Sequence, residues 1–173
     1  MSTLLIFAHP AYEKSEANRT LRESLPAEVA GLTVCDLYER YPHFEIEVSV
    51  EKELLANHER IVWQHPLYWY SVPSLLKEWI DLVLEYGWAY GEGGDALVGK
   101  TVQSVITAGG SESAYGPDGH NRYPVTEFLR PLEQTARLCG MVYAEPLVYF
   151  KSHCLDATRC PDSIAAYHKA LGI

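Results

Sequence analysis

The chain has no excess of positive charge. Its 14 Lys and Arg stand against 23 Asp and Glu, a formal charge of −9. Nucleic-acid binding is driven by Lys and Arg displacing phosphate counterions, so a nucleic-acid partner is excluded. No apolar run is long enough to span a bilayer. No basic stretch precedes the short run Leu4–Ala8, and no small-residue cleavage site follows it, so it reads as a buried strand rather than a signal peptide. The four cysteines, Cys35, Cys139, Cys154 and Cys160, lack the dense spacing of a disulfide framework, which points to a reducing cytoplasm. Neither a paired CxxC nor an HExxH pattern accompanies His153-Cys154 and Cys160, so no metal site is expected. The loop after the first apolar run, His9 to Ser15, carries neither GxGxxG nor GxxxxGK[ST], so it has no standard dinucleotide fingerprint or P-loop. With no internal repeat or Ser/Gly linker, residues 1–173 read as one domain.

What is present is a globular composition, 47% hydrophobic and 21% charged, with 12 Tyr and 4 Trp. Short aliphatic runs alternate with longer amphipathic ones. Strands are predicted at Leu4–Ala8, Leu32–Asp36, Arg60–His65, Thr101–Thr107 and Met141–Pro146; several are apolar at nearly every position, as strands covered on both faces must be. Helices are predicted over Glu16–Leu25, about Ser49–Asn57, Pro73–Tyr86, Pro124–Cys139 and Ser163–Leu171. Ser15 is the expected N-cap of the first, with Asn18 at N3. Pro73 falls in the first turn of the third, which carries Leu75, Leu76, Trp79, Ile80 and Val83 along one stripe. Strict alternation implies an α/β, doubly wound, five-stranded parallel sheet in three layers. Ligands of such sheets bind at the carboxyl ends of the strands, which directs attention to three loops, 9–15, 65–73 and 107–123.

The first loop, from His9 to Ser15, leaves a buried strand and enters a helix N-terminus, where unpaired N–H groups attract phosphate; His9, Ser15 and Asn18 can add side-chain donors. The second, His65-Pro66-Leu67-Tyr68-Trp69-Tyr70-Ser71-Val72-Pro73, holds three consecutive aromatics between prolines. Aromatics at a sheet edge need a cover, and either a stacked planar ligand or a dimer interface supplies one. The third, starting Thr107-Ala108-Gly109-Gly110, lets the backbone approach a ligand closely, and it continues through Tyr115 and His120 as a long irregular stretch. A phosphoacceptor receiver domain would share the topology, but His9-Pro10 stands where its acidic cluster belongs.

These motifs together resemble the flavodoxin-like NAD(P)H:quinone oxidoreductases. The resemblance rests on His9-Pro10 with Ser15-x-x-Asn18 and on the block Pro66–Pro73 running into Leu76-Lys77-x-Trp79-Ile80-Asp81. Gly87-Trp88-Ala89-Tyr90-Gly91, Leu97-x-Gly99-Lys100 and Thr107-x-Gly109-Gly110-x-x-x-x-Tyr115 extend it over nearly the whole chain. Within that family the chain is most similar to the small ancillary flavoproteins of glutathione-gated potassium-efflux (Kef) systems, through Leu37-Tyr38-x-x-Tyr41-Pro42-x-Phe44 and Trp63-Gln64-His65-Pro66.

The resemblance implies a bound flavin, FMN rather than FAD for want of a long C-terminal extension, and NADH or NADPH as hydride donor. It implies a quinone or related electrophile as acceptor, and a homodimer with its active sites at the interface. It assigns phosphate contacts to His9, Ser15 and Asn18, and ring contacts to Pro66, Leu67, Tyr68, Trp69, Thr107, Gly109 and Gly110. Tyr115 and His120 take the place of the family's Tyr/His pair, with a spacing one residue shorter than in the larger animal enzymes. On physical grounds such a pair can stabilise negative charge on a reduced ring and exchange a proton near neutral pH. The rival reading is a regulatory subunit that docks on a potassium-efflux transporter at the inner face of the cell membrane and senses flavin redox state or nucleotide.

Overall fold

The computed structural model describes residues 2–155 and 160–173. Six strands form one wholly parallel sheet: β1 (Thr3–Phe7), β2 (Leu32–Asp36), β3 (Arg60–Pro66), β4 (Thr101–Thr107), β5 (Val142–Tyr143) and β6 (Leu147–Tyr149). Their order is β2-β1-β3-β4-β5, with β6 also paired to β4. Seven helices surround them: α1 (Glu16–Glu23), α2 (Leu37–Arg40), α3 (Val48–Ala56), α4 (Ser74–Val83), α5 (Val125–Phe128), α6 (Arg130–Leu138) and α7 (Pro161–Leu171).

The period-2 geometry of a strand sends successive side chains to opposite faces, and β1 shows the consequence. Leu4 and Ile6, continued by Ala8, join a core with Ile61, Trp63, Leu75 and Trp79, while Leu5 and Phe7 join a second core with Leu21, Val62, Val105 and Tyr167. All five residues of β1 are buried, as the apolar run Leu4–Phe7 requires. Between the two cores the sheet is the middle of three layers.

Two expected elements are broken, each at a proline. The strand expected over Met141–Pro146 is two short ones. Val142 and Tyr143 lie opposite Thr101 and Val102, but Leu147 lies opposite Val105, so the edge strand takes one extra residue across 144–146. Pro146 has no N–H to give the ladder, and the pairing resumes only beyond it. The helix expected over Pro124–Cys139 breaks at Leu129. Pro131 would collide with the Glu127 carbonyl four residues back, so one short helix stops and a second restarts with the proline in its first turn. In α4, Pro73 is the N-cap rather than a first-turn residue, and the helix ends at Val83, three residues early.

The chain progresses outward in opposite directions from β1 and β3: β2 flanks one side, β4 the other. The loops leaving β1 and β3 therefore part at the carboxyl edge and open a crevice between them, the usual place for a ligand on an open α/β sheet.

Candidate functional site

A cleft of about 440 Å³ lies at that crevice, lined by His9, Ala11, Lys14, Ser15, Glu16, Ala17, Pro66, Leu67, Tyr68, Thr107, Gly109, Ser152 and His153. It is built from four segments, each set in place by the strand before it.

After β1, the Ala8 N–H bonds to the Gln64 carbonyl, and His9 is folded inward, 6% exposed. The Ala11 N–H donates to His9 Nδ1 at 3.1 Å, so Nδ1 is bare and the ring proton resides on Nε2. Burial lowers the His9 pKa, with Glu13 opposing, and the ring stays neutral near pH 7. A 3-10 turn, Tyr12–Lys14, then delivers Ser15 as the cap of α1, its Oγ accepting the Asn18 N–H at 3.2 Å. The N–H groups of Glu16 and Ala17, in the first turn, have no acceptor within the helix and sit at the cleft wall. This is an anion-binding helix start, with Lys14 beside it as an added cation.

Asn18 stands one step behind. It is 1% exposed, and its amide is engaged by Ser15, Thr107 and Gln64. The structure therefore places Ser15, Thr107 and His9 at the cleft surface and Asn18 beneath them.

After β3, the Leu67 N–H bonds to the Thr107 carbonyl, and Tyr68 and Ser71 exchange two backbone hydrogen bonds around Trp69 and Tyr70. Trp69 has φ 48° and Tyr70 φ 61°. Two positive φ angles in a two-residue loop are a type I′ turn, normally built from Asn and Gly, so here two bulky aromatics hold a strained conformation. Trp69 is 92% exposed. Tyr70 leans on Phe128, ring centroids 4.9 Å apart, and donates its hydroxyl to Asn121 at 3.1 Å.

After β4, Gly109 lies at the cleft, where a Cβ would meet no protein atom within 4 Å. Gly110 lies under Tyr115, whose ring would be 3.1 Å from a Cβ there. A second hollow of about 330 Å³ opens here, lined by Leu67, Trp69, Tyr70, Gly110, Tyr115 and Asn121. Leu67 lines both hollows, so the two meet along the second loop. The Tyr115 ring packs against Phe150 and Phe128, and burial, then the nearby Tyr70, raises its pKa, keeping its hydroxyl protonated as a donor. His120 is exposed and lines neither hollow; its neighbour Asn121 is the one that does.

A fourth segment was missed by sequence reasoning. Beyond β6 the Lys151 N–H bonds to the Gly110 carbonyl and the Ser152 N–H to the Ala108 carbonyl, which brings Ser152 and His153 to the cleft. Ending the last strand at Pro146 hid them, because its true carboxyl end, Tyr149, lies at the same edge as the other three. Among the described residues no cluster of three or more His, Cys, Asp or Glu could hold a metal ion, and no helix is long and apolar enough to cross a membrane. Cys35 and Cys139 are buried, as expected of small apolar residues, and the Cys154 side chain lies outside the described residues.

Comparison with known proteins places this architecture. The model of a family described as having a flavodoxin-like fold matches residues 1–172. The glutathione-regulated potassium-efflux system ancillary protein KefG of Pectobacterium carotovorum subsp. carotovorum is 48% identical over 170 residues, covering 98% of this chain and 90% of its own length. Among solved structures, general stress protein 14 from Treponema denticola, in complex with FMN, superposes with a TM-score of 0.91 at 36% identity, covering 99% of this chain and 98% of that one. An NADPH-quinone reductase from P. pentosaceus superposes at 0.89 with 29% identity, covering 100% and 99%.

Proposed function

The chain belongs to the flavodoxin-like fold family, and from that premise we propose that it is an FMN-dependent oxidoreductase that takes hydride from NADH or NADPH and delivers it to a quinone or a related electrophile. One observation carries the proposal: an anion-binding helix start and the base of the aromatic hairpin, Pro66, Leu67 and Tyr68, line one cleft. The first suits a phosphate and the second a flat ring, and FMN joins the two in one molecule. The names of two similar proteins, one in complex with FMN and one an NADPH-quinone reductase, support the same reading.

The residues fit the group on their own chemistry. Ser15, Lys14 and the free N–H groups of Glu16 and Ala17 would hold the phosphate, with neutral His9 adding an Nε2–H donor. Pro66, Leu67, Tyr68 and Trp69 would hold one side of the ring; Thr107, Gly109 and Gly110 would hold the other, where the missing Cβ of Gly109 leaves room for close approach of the backbone. When bound, FMN would supply reversible two-electron, hydride-level chemistry. Tyr115, kept protonated by burial, would donate a hydrogen bond to a ring held beside it. His120 would complete the pair from its exposed place beside Asn121. The exposed indole of Trp69 and the Tyr70, Tyr123 and Phe128 cluster would be covered by a second copy of the chain, as a homodimer.

The test is anaerobic. Purified protein loaded with FMN should bleach with NADH or NADPH and recover on addition of a soluble quinone, with turnover. In a Tyr115→Phe/His120→Gln variant bleaching should slow while FMN stays bound; unchanged rates would remove the pair from the mechanism. A second reading is favoured by the 48% identity to an ancillary protein of a potassium-efflux system: the flavin site would then regulate a transporter at the membrane's inner face. Retained FMN without turnover on any acceptor, together with co-purification with such a transporter, would select that reading.

A further inference from the structure

Four buried polar side chains form a continuous line from the last helix to the cleft. Tyr167 on α7, fully buried, donates its hydroxyl to Gln64 Oε1 at 2.7 Å. Gln64 on β3, also fully buried, donates Nε2 to Asn18 Oδ1 at 3.1 Å. Asn18 on α1 donates Nδ2 to Thr107 Oγ1 at 2.9 Å and to Ser15 Oγ at 3.2 Å. The line crosses a core that is otherwise Leu5, Phe7, Leu21, Val62 and Val105, where an unpaired polar atom is costly.

Such a line has a direction. An amide can be turned end for end, and if both Gln64 and Asn18 turned, Asn18 would present Oδ1 to Ser15 and Thr107, drawing their hydroxyl protons inward. Tyr167 settles which way the amides point. Among the described residues its hydroxyl has Gln64 as partner, and a buried O–H with no acceptor costs more than a lone pair with no donor. Tyr167 therefore donates, Gln64 must offer its oxygen to it, and Gln64 then offers its NH₂ to Asn18. The same logic repeats at Asn18. At the end of the line Ser15 Oγ accepts two N–H groups, the backbone and side-chain nitrogens of Asn18, and Thr107 Oγ1 accepts one. Ser15 Oγ is thus filled from within and Thr107 Oγ1 half filled, and both keep their own protons for the cleft they line.

We propose that Tyr167 and Gln64 are positioning residues that fix the polarity of Ser15 as a hydrogen-bond donor toward the cleft, and so set the preference of this cleft for an anionic phosphate-bearing ligand over its neutral counterpart. The inference rests on the reading that the cleft holds FMN. Neither residue lines the cleft; both act on it through Asn18.

The experiment titrates flavin-free protein with FMN and, separately, with riboflavin, which has the ring but no phosphate, and follows the ratio of the two dissociation constants. Gln64→Met removes the middle of the line and should lower the preference for FMN about tenfold, with riboflavin binding held within about twofold. Tyr167→Phe keeps the ring in the core and should lower it about threefold. Because Tyr167 acts only through Gln64, the double variant should match Gln64→Met and go no further. Parallel loss of both flavins, additive effects, or an unchanged ratio in both single variants would overturn the proposal. If the parent protein binds neither flavin, the FMN reading fails instead, and the two failures are told apart.

Discussion

Replacing Trp69 with Asn should make the protein more stable and less able to do its work. Trp69 holds φ 48° at the first central position of the Tyr68–Ser71 turn. Left-handed backbone costs an ordinary residue about 1–2 kcal/mol, and Asn, whose short side chain tolerates it, recovers on the order of 1 kcal/mol. Against this gain almost nothing is lost, since the indole is 92% exposed and buries little. A gain of that size raises the melting temperature of a chain this long by about 2–4 °C. The functional cost has the opposite sign. An aromatic contact is worth about 0.5–1.5 kcal/mol, so ligand affinity should fall about three- to tenfold. The assay is thermal unfolding of flavin-free protein over a range of concentrations, which separates chain stability from any contribution of self-association, alongside flavin and substrate titrations. A variant with a lower melting temperature at every concentration, or one with unaltered binding, would refute the view that this turn stores strain for the sake of its exposed ring.

Three other perturbations have defined outcomes. Gly109→Ala should leave flavin-free stability unchanged, because a Cβ there meets no protein atom within 4 Å, yet weaken FMN binding by about threefold or more through steric intrusion into the cleft; a crystal structure and a flavin titration check both halves. Glu51 is fully buried and accepts from the Tyr41 hydroxyl at 2.6 Å and Trp79 Nε1 at 2.8 Å, with Arg40 at 3.4 Å; Glu51→Gln exchanges one acceptor for a donor and should cost about 2–3 kcal/mol in urea unfolding. His65 is fully buried, with its pKa lowered to about 4 by desolvation, against a weaker opposing hydrogen bond to the Pro66 carbonyl. Below about pH 6.5 the unfolded chain takes up a proton that the folded chain refuses, so this stabilisation is lost as pH falls from about 6.5 to about 4, by about 3 kcal/mol in all. His9 acts in the same direction. The unfolding free energy of the parent, relative to that of His65→Phe, should therefore drop as pH falls over that window; a constant difference would deny His65 the role.

Much of the fold was legible because three of its strands are buried and say so. β1, β3 and β4 are covered on both faces, and their apolar runs have no other comfortable place. Ser15 was legible as a cap because the physics of a cap is local, and the structure has its Oγ on the Asn18 N–H. What was not legible depends on partners far along the chain. The residue inserted across 144–146 shows only against the register of β4, and with it went Ser152 and His153. The short helix α2, four residues long, gives too few turns for a period to appear. Asn18 was read as facing a ligand because its residue type and spacing suited one; that Gln64 and Thr107 claim its amide is a tertiary fact with no local trace. The strain at Trp69 and Tyr70 was likewise hidden, since the loop 65–73 gives no Asn or Gly to mark a left-handed turn.

The most direct test of the central claim is the amount of flavin the cleft holds. Titrated with FMN, the protein should bind one molecule per chain with a dissociation constant on the order of 1 µM or tighter, quench its fluorescence and hold it through gel filtration. A chain that stays colourless through FMN concentrations of about 100 µM, with its secondary structure intact, would contradict the account.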